Sequence, residues 1–291
     1  MQHIQLMAIL YMLLSMISSQ FSASFAKQMI TELDPITVTL FRLFFAAILV
    51  FFLFRSWRII PRLRYLKWPD LLIFGASLAL MNTLLYSALA RIPQGIAVGL
   101  EFTGPLILAL ISITHKTDYL WLLFAMLGII LMVPWHDAIG APLSWVGVLC
   151  ALGAGFCWAI YIYYGKKVAA QDIGLHALTI SLFISTLILL PIGLSYNFDA
   201  LMQPQYWLKG LFIGIFAAAL PYALDLKALK QLNRTVYGTL SSLSPVLAAL
   251  SGWLLLSEQL SFLQWIALFC IGIASVGVTI RKPTPKSVSV E

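Results

Sequence analysis

Apolar runs of about twenty residues alternate along this chain with short breaks rich in charge, proline and polar side chains. The breaks are "TELDP", "RSWRIIPRLRYLKWP", "RIPQ", "THKTD", "WHDAIGAP", "GKKVAAQD", "SYNFDALMQPQ", "KALKQLNR" and "SEQLS". Between them lie ten segments, approximately 6–30, 36–54, 69–90, 95–114, 119–135, 144–165, 174–194, 207–227, 235–256 and 262–280. A helix rising 1.5 Å per residue needs about twenty apolar residues to cross the hydrocarbon of a bilayer. Each run is continuously apolar and lacks the inside–outside alternation of a barrel strand. The pattern predicts an all-α integral membrane protein with ten transmembrane helices.

Composition supports the same class. The 291 residues are 61% hydrophobic and 10% charged, whereas a soluble domain is about half apolar and about a quarter charged. There is too little polar surface to cover a water-facing body. "SSQFSAS" offers small residues after the first apolar run, but no Lys or Arg precedes that run, so a retained first helix is expected rather than a signal peptide. Cys150, Cys157 and Cys270 all lie in apolar segments without regular spacing, which predicts neither a disulfide framework nor a metal site. The net charge of +7 sits in short loops and points to membrane topology, not to nucleic acid.

With the N-terminus in the cytoplasm, Arg55, Arg58, Arg62, Arg64, Lys67, Lys116, Lys166, Lys167, Lys227, Lys230, Arg234, Arg281, Lys282 and Lys286 are internal, and only Arg91 and Lys209 are external. The positive-inside rule therefore places both termini in the cytoplasm. Trp57, Trp68, Trp121, Trp135, Trp145, Trp207 and Trp265 fall near span ends, as in an interfacial aromatic belt.

The chain also repeats itself. Displaced by 140 residues, "ALARIPQGIAVGLEFTGPLILAL" (88–110) falls on "ALKQLNRTVYGTLSSLSPVLAAL" (228–250) without a gap, pairing Pro105 with Pro245. A proline at one register in two spans is a demanding coincidence. Five spans per half is an odd number, so the second half must enter the membrane with opposite polarity. The expected organisation is a first repeat over 1–137, a second, inverted repeat over 143–282 and a cytoplasmic tail over 283–291. Inverted repeats mark secondary transporters, whose substrate site lies near the midplane where the halves meet.

"GIAVGLEFTGPLILAL", "ALGAGFCWAIYI", "ALPYAL" and "GTLSSLSPVLAALSG" resemble the EamA family of the drug/metabolite transporter superfamily. More narrowly, they are similar to its bacterial threonine and homoserine exporters. The likeness runs from the first span to "TIRK" at 279–282. It implies the ten-helix fold of that superfamily and an inner-membrane efflux carrier for small amino acids, coupled to the proton gradient.

Three charges lie within spans. Glu101 is roughly 9–10 Å along the fourth span from its outer end, inside the hydrocarbon. Arg42 reaches a similar depth on the second span, and Lys27 is slightly shallower on the first. A lone charge at the bilayer centre costs at least ~2.5–3.5 kcal/mol on insertion scales, so such residues face a cavity or one another. Two readings are open. Glu101 bridges to Arg42 or Lys27 and locks three spans, or the layer offers counter-charges to the ammonium and carboxylate of an amino acid. In the second reading Glu101 also carries the coupling proton.

Asp225, two residues before Lys227, is either a helix-end side chain reaching the interface or a cavity group exposed by Pro221. Asn82, Tyr86, Trp158, Tyr161, Tyr222 and Tyr237 form a candidate aromatic, hydrogen-bonding lining, with core packing the alternative for each. Pro105 and Pro245 are expected to kink matching spans, while Gly95, Gly99, Gly153, Gly155 and Gly238 permit close helix contact.

The expected partners are an amino acid or similar metabolite, protons and lipid, with no cofactor and no metal. A general metabolite or drug efflux carrier is the alternative within transport; a hydrophobic cation would need only the acid, whereas a zwitterion wants both signs. A membrane-embedded enzyme is the competing class. It lacks support, since there is no HExxH pair, no aspartate pair and no Gly-flanked serine with a partner histidine; the four histidines fall in loops or the tail. Nor is there a GxxxxGK[ST] string for an ATP-driven pump.

Overall fold

Where the hydropathy breaks, local chemistry ends one helix and starts the next. The computed structural model describes residues 2–104, 118–132, 144–169, 171, 173, 176–229, 232, 240 and 243–279. Among these, every regular element is helical: α1 (Gln2–Ile30), α2 (Pro35–Leu53), α3 (Trp68–Leu89), α4 (Gln94–Glu101), α5 (Asp118–Met132) and α6 (Trp145–Ala169). Next come α7 (His176–Tyr196), a short α8 (Phe198–Met202), α9 (Pro204–Gly214), α10 (Leu220–Leu229), α11 (Ser244–Leu256) and α12 (Phe262–Thr279). Asp34 caps α2 by accepting the Thr37 N–H at 2.9 Å, and Pro35 occupies the first turn, where a missing N–H is harmless. Arg55 then turns through φ 52° into a 3-10 helix at Ser56–Tyr65.

Among the described residues, six helical stretches are long and apolar enough to cross a membrane: Leu6–Ile30, Pro35–Leu53, Trp68–Leu89, Trp145–Gly165, His176–Tyr196 and Pro204–Asp225. Shorter apolar helices cover Tyr119–Leu131, Ser244–Leu256 and Phe262–Ala274. The fourth and ninth expected spans are described only in part, and Pro105, Tyr237 and Gly238 lie outside the described residues.

The distribution of side chains suits lipid as solvent. Phe262, Leu208 and Phe269 are 79%, 73% and 68% exposed, while Ser24, Thr39, Gln94, Ser185 and Ser251 are fully buried. Buried hydroxyls find partners across helices, as in the 2.7 Å bond from Ser185 of α7 to the Gly75 carbonyl of α3.

Three expectations about the spans change. The eighth is not one regular helix: a π turn at Ile215–Ala219 joins α9 to α10 just before Pro221. Proline clashes with the carbonyl one turn earlier, and α1 donates to two carbonyls of this region. Ser18 donates to Phe216 O at 2.7 Å and Ser15 to Pro221 O at 3.1 Å. Pro245 does not kink a helix interior; it sits in the first turn of α11 after a turn at Leu243. The fourth span is likewise interrupted, α4 ending at Glu101 with Phe102 as its C-cap.

Helix packing carries a two-fold pattern. Exchanging α1 with α6, α2 with α7, α3 with α9–α10, α4 with α11 and α5 with α12 maps the principal interfaces onto one another. The α3–α6 contact becomes α10–α1, α3–α7 becomes α9–α2, and α4–α6 becomes α11–α1. The α2–α7, α4–α11 and α5–α12 interfaces map onto themselves.

Loops also sort by end. The 22 residues of α3 span about 33 Å. Beyond its C-terminus Ile92 meets Lys27, and Glu258 meets Gln94. Beside its N-terminus Lys67 donates its backbone N–H to Gln171.

Candidate functional site

Inside the bundle, four helices bring Arg42, Tyr86, Glu101 and Tyr222 into one electrostatic neighbourhood. Arg42 of α2 donates from Nη1 to the Tyr86 hydroxyl at 3.3 Å, and its guanidinium stands 5.4 Å from the Tyr86 ring centre. Tyr86 is fully buried on α3, and Glu101 is 7% exposed at the end of α4. Tyr222 of α10 links this group to Tyr161 of α6 and to Asp225 of its own helix. The Ser15 hydroxyl of α1 lies near Asp225 and donates to the Pro221 carbonyl of the same helix at 3.1 Å.

The flanks are aromatic. Trp158 stands edge-on to Phe102 at 5.4 Å, and Tyr161 stacks on Phe74 at 4.4 Å. Arg42, Trp158, Tyr161, Tyr222 and Asp225 all retain accessible surface. Asn82 is buried and donates to its own Leu78 carbonyl at 2.8 Å, so its amide serves α3. Gly99 is buried in α4. Gly155 of α6 lets α4 approach: a Cβ there would meet the Glu101 carbonyl at 2.7 Å and the Thr103 hydroxyl at 2.8 Å.

The expected Glu101 bridges do not form. Among the described residues the ion pairs are Lys27–Glu258 at 2.7 Å and Lys209–Glu32 at 2.6 Å. Lys27 therefore pairs away from the Arg42 and Glu101 neighbourhood. Its ammonium also donates to Ile92 O at 2.6 Å, because the C-terminal ends of α1 and α11 converge there with the start of α4.

That convergence builds a polar latch which hydropathy alone does not reveal. Gln94, fully buried at the start of α4, accepts from Ser24 at 2.8 Å. Its Nε2 donates to Gln20 O and Ser251 Oγ, each at 2.9 Å. Ser24 and Ser251 also share a 3.0 Å bond. Glu258 accepts the Gln94 backbone N–H at 2.7 Å and so caps α4 from the opposite half. Ser257 makes this possible by turning through φ 54°, and Gly252 leaves the room, since a Cβ there would strike the Glu258 carboxylate. The available signal is the pair of chain breaks "RIPQ" and "SEQLS", each of which sets polar residues beside an apolar span.

The EamA-like transporter family matches this chain twice, over residues 6–133 and 145–280. The chain belongs to that family. Its two matched stretches contain the two sets of helices that exchange in the contact pattern. The chain is 38% identical over 291 aligned residues to the threonine/homoserine exporter RhtA of Salmonella typhimurium strain SL1344, covering 97% of this chain and 96% of that one. It is 39% identical over 281 residues to the threonine/homoserine exporter RhtA of Escherichia coli K12, covering 94% and 92%. A solved crystal structure aligns over 96% of this chain and 97% of its own with a TM-score of 0.57; at 16% identity it bears on the fold alone. Family membership and the apolar helices make this a multi-pass membrane protein.

Proposed function

We propose that the protein is an inner-membrane secondary exporter of small amino acids of the threonine and homoserine type. Arg42 receives the substrate carboxylate and Glu101 its ammonium. The observation that carries this reading is a guanidinium within an apolar bundle that has no carboxylate within 4.0 Å among the described residues. A guanidinium presents five N–H donors in a fork matched to a carboxylate, and among the described residues Tyr86 accepts one of them. Glu101, on a different helix, supplies the opposite sign in the same neighbourhood. The near-full-length similarity to threonine/homoserine exporters supports the same substrate class.

Transport runs by alternating access between two inverted repeats, 1–137 and 143–282, with the tail 283–291 and both termini in the cytoplasm. The interface exchange among helices supports the repeat, and the distribution of Lys and Arg supports the orientation. In this conformation the Gln94–Glu258 latch holds the outer end shut. Glu101 carries the coupling proton, released as the site changes sides.

The test is export of radiolabelled threonine and homoserine by cells or vesicles containing the protein, alongside growth on toxic amino-acid analogues. Glu101→Gln abolishes export while the protein remains inserted. Wild-type rates for that variant across the pH range would remove the proton role. Export of hydrophobic cations in place of amino acids would establish a general efflux carrier instead.

A further inference from the structure

At the end of the bundle away from the latch, the 3-10 helix, α3 and α6 enclose a groove of about 840 Å³. Arg62, Tyr65, Lys67, Asp70, Lys167 and Gln171 line it, so three cations face one carboxylate. Lys167 stands 4.7 and 4.8 Å from the rings of Tyr163 and Tyr164. Gln171 accepts the Lys67 backbone N–H through Oε1 at 2.8 Å, while its Nε2 is buried with no hydrogen-bond partner among the described residues. A buried donor without an acceptor is costly, and here it accompanies uncompensated positive charge.

The approach to the groove is apolar. Trp57, Ile60 and Tyr65 of the 3-10 helix are 43%, 55% and 71% exposed, and Trp68 follows at the start of α3. A short segment with basic residues interleaved with exposed aromatic and aliphatic ones belongs at the level of lipid headgroups. That flank favours a lipid over a soluble anion.

We propose that this groove binds the headgroup of an anionic phospholipid. The phosphate lies among Arg62, Lys67 and Lys167 and accepts from Gln171 Nε2, and the acyl chains run past Trp57 and Ile60. The groove stands on its own geometry and does not depend on the transported substrate.

The test uses the full-length protein purified in detergent, with lipid retention read by native mass spectrometry and stability by thermal unfolding. Phosphatidylglycerol is retained and raises the unfolding temperature; phosphatidylcholine does neither. Arg62→Gln, Lys67→Gln and Lys167→Gln each weaken retention about fivefold, the equivalent of about 1 kcal/mol per basic residue near an anionic surface. Gln171→Leu weakens it with no change of charge. Arg64→Gln, on the same 3-10 helix but outside the groove lining, leaves it intact. Helical circular dichroism of each variant separates lost binding from lost folding. Equal losses in Arg64→Gln with none in Gln171→Leu would overturn the site in favour of a diffuse field. Phosphatidylethanolamine binding as tightly as phosphatidylglycerol would overturn the anionic class, and displacement by millimolar inorganic phosphate would overturn the lipid source.

Discussion

Replacing Gln94 with leucine removes the centre of the outer latch while nearly conserving volume. Three side-chain hydrogen bonds are lost: one from Ser24, one to Gln20 O and one to Ser251. Each contributes about 0.5–1.5 kcal/mol net, so the sum is about 3 kcal/mol. In the proposed cycle these bonds exist only while the outer end is closed. The loss then falls on the closed-to-open ratio, and about 3 kcal/mol changes that ratio about 100-fold. Spin labels at the exposed Thr31 and Gln259 report it, since they flank the latch on the first and second halves. Double electron–electron resonance should give one short distance for the parent protein and a substantial longer component for Gln94→Leu. Ser24→Ala removes one of the three bonds and the Ser24–Ser251 bond, so it should give a smaller shift of about 5- to 30-fold, for about 1–2 kcal/mol. An unchanged distance distribution in Gln94→Leu, with thermal stability lowered by the same amount, would refute the reasoning. The network would then hold the fold together without discriminating between states.

Other expectations follow from the same contacts. Lys27→Met leaves the Glu258 carboxylate mostly buried without its cation and should lower stability by about 1–3 kcal/mol. Lys27→Met with Glu258→Gln should recover at least half of that, as measured by thermal unfolding; strictly additive losses would show that the pair is not coupled. Arg42→Lys keeps the charge and loses the fork that meets Tyr86 and a carboxylate, so threonine export should fall at least about tenfold with little change in unfolding temperature. Full export by this variant would mean that a point charge suffices. Gly155→Ala drives a methyl group into the Glu101 carbonyl and Thr103 hydroxyl, an overpacking of about 1–3 kcal/mol that displaces α4 from α6. It should reduce export more than it reduces the amount of folded protein, a comparison made by assaying both on one membrane preparation.

Much of the architecture is legible along the chain because its causes are local. An apolar run long enough for the bilayer marks a helix wherever it lies, and a proline recurring after 140 residues marks a repeat. Arg42 and Glu101 stand out for the same reason, as charges where hydropathy forbids them. Tyr86, Tyr161 and Tyr222 are placed in one set by helical spacing and the repeat; Tyr86 and Tyr222 lie near Arg42, while Tyr161 lies near Tyr222 and stacks on Phe74. Asn82 shares a face with Tyr86, yet its amide turns back onto its own helix. Face and register can be read from spacing; the rotamer depends on what lies opposite.

The sequence by itself determined the solvent, the helical class, the doubling and the presence of charge within the spans. Tertiary structure decided which charges meet. Lys27 has the charge of a partner for Glu101, yet the convergence of α1, α4 and α11 puts Glu258 beside it. Glu258 reads in the sequence as part of a loop, since hydropathy assigns any carboxylate outside a span to water. The π turn at Ile215–Ala219 is equally invisible, because Ser18 of a distant helix supplies the donor that reaches its Phe216 carbonyl. Burial of a polar group is stable when its partner is present, and partners are chosen by proximity in space, which no single stretch of chain encodes.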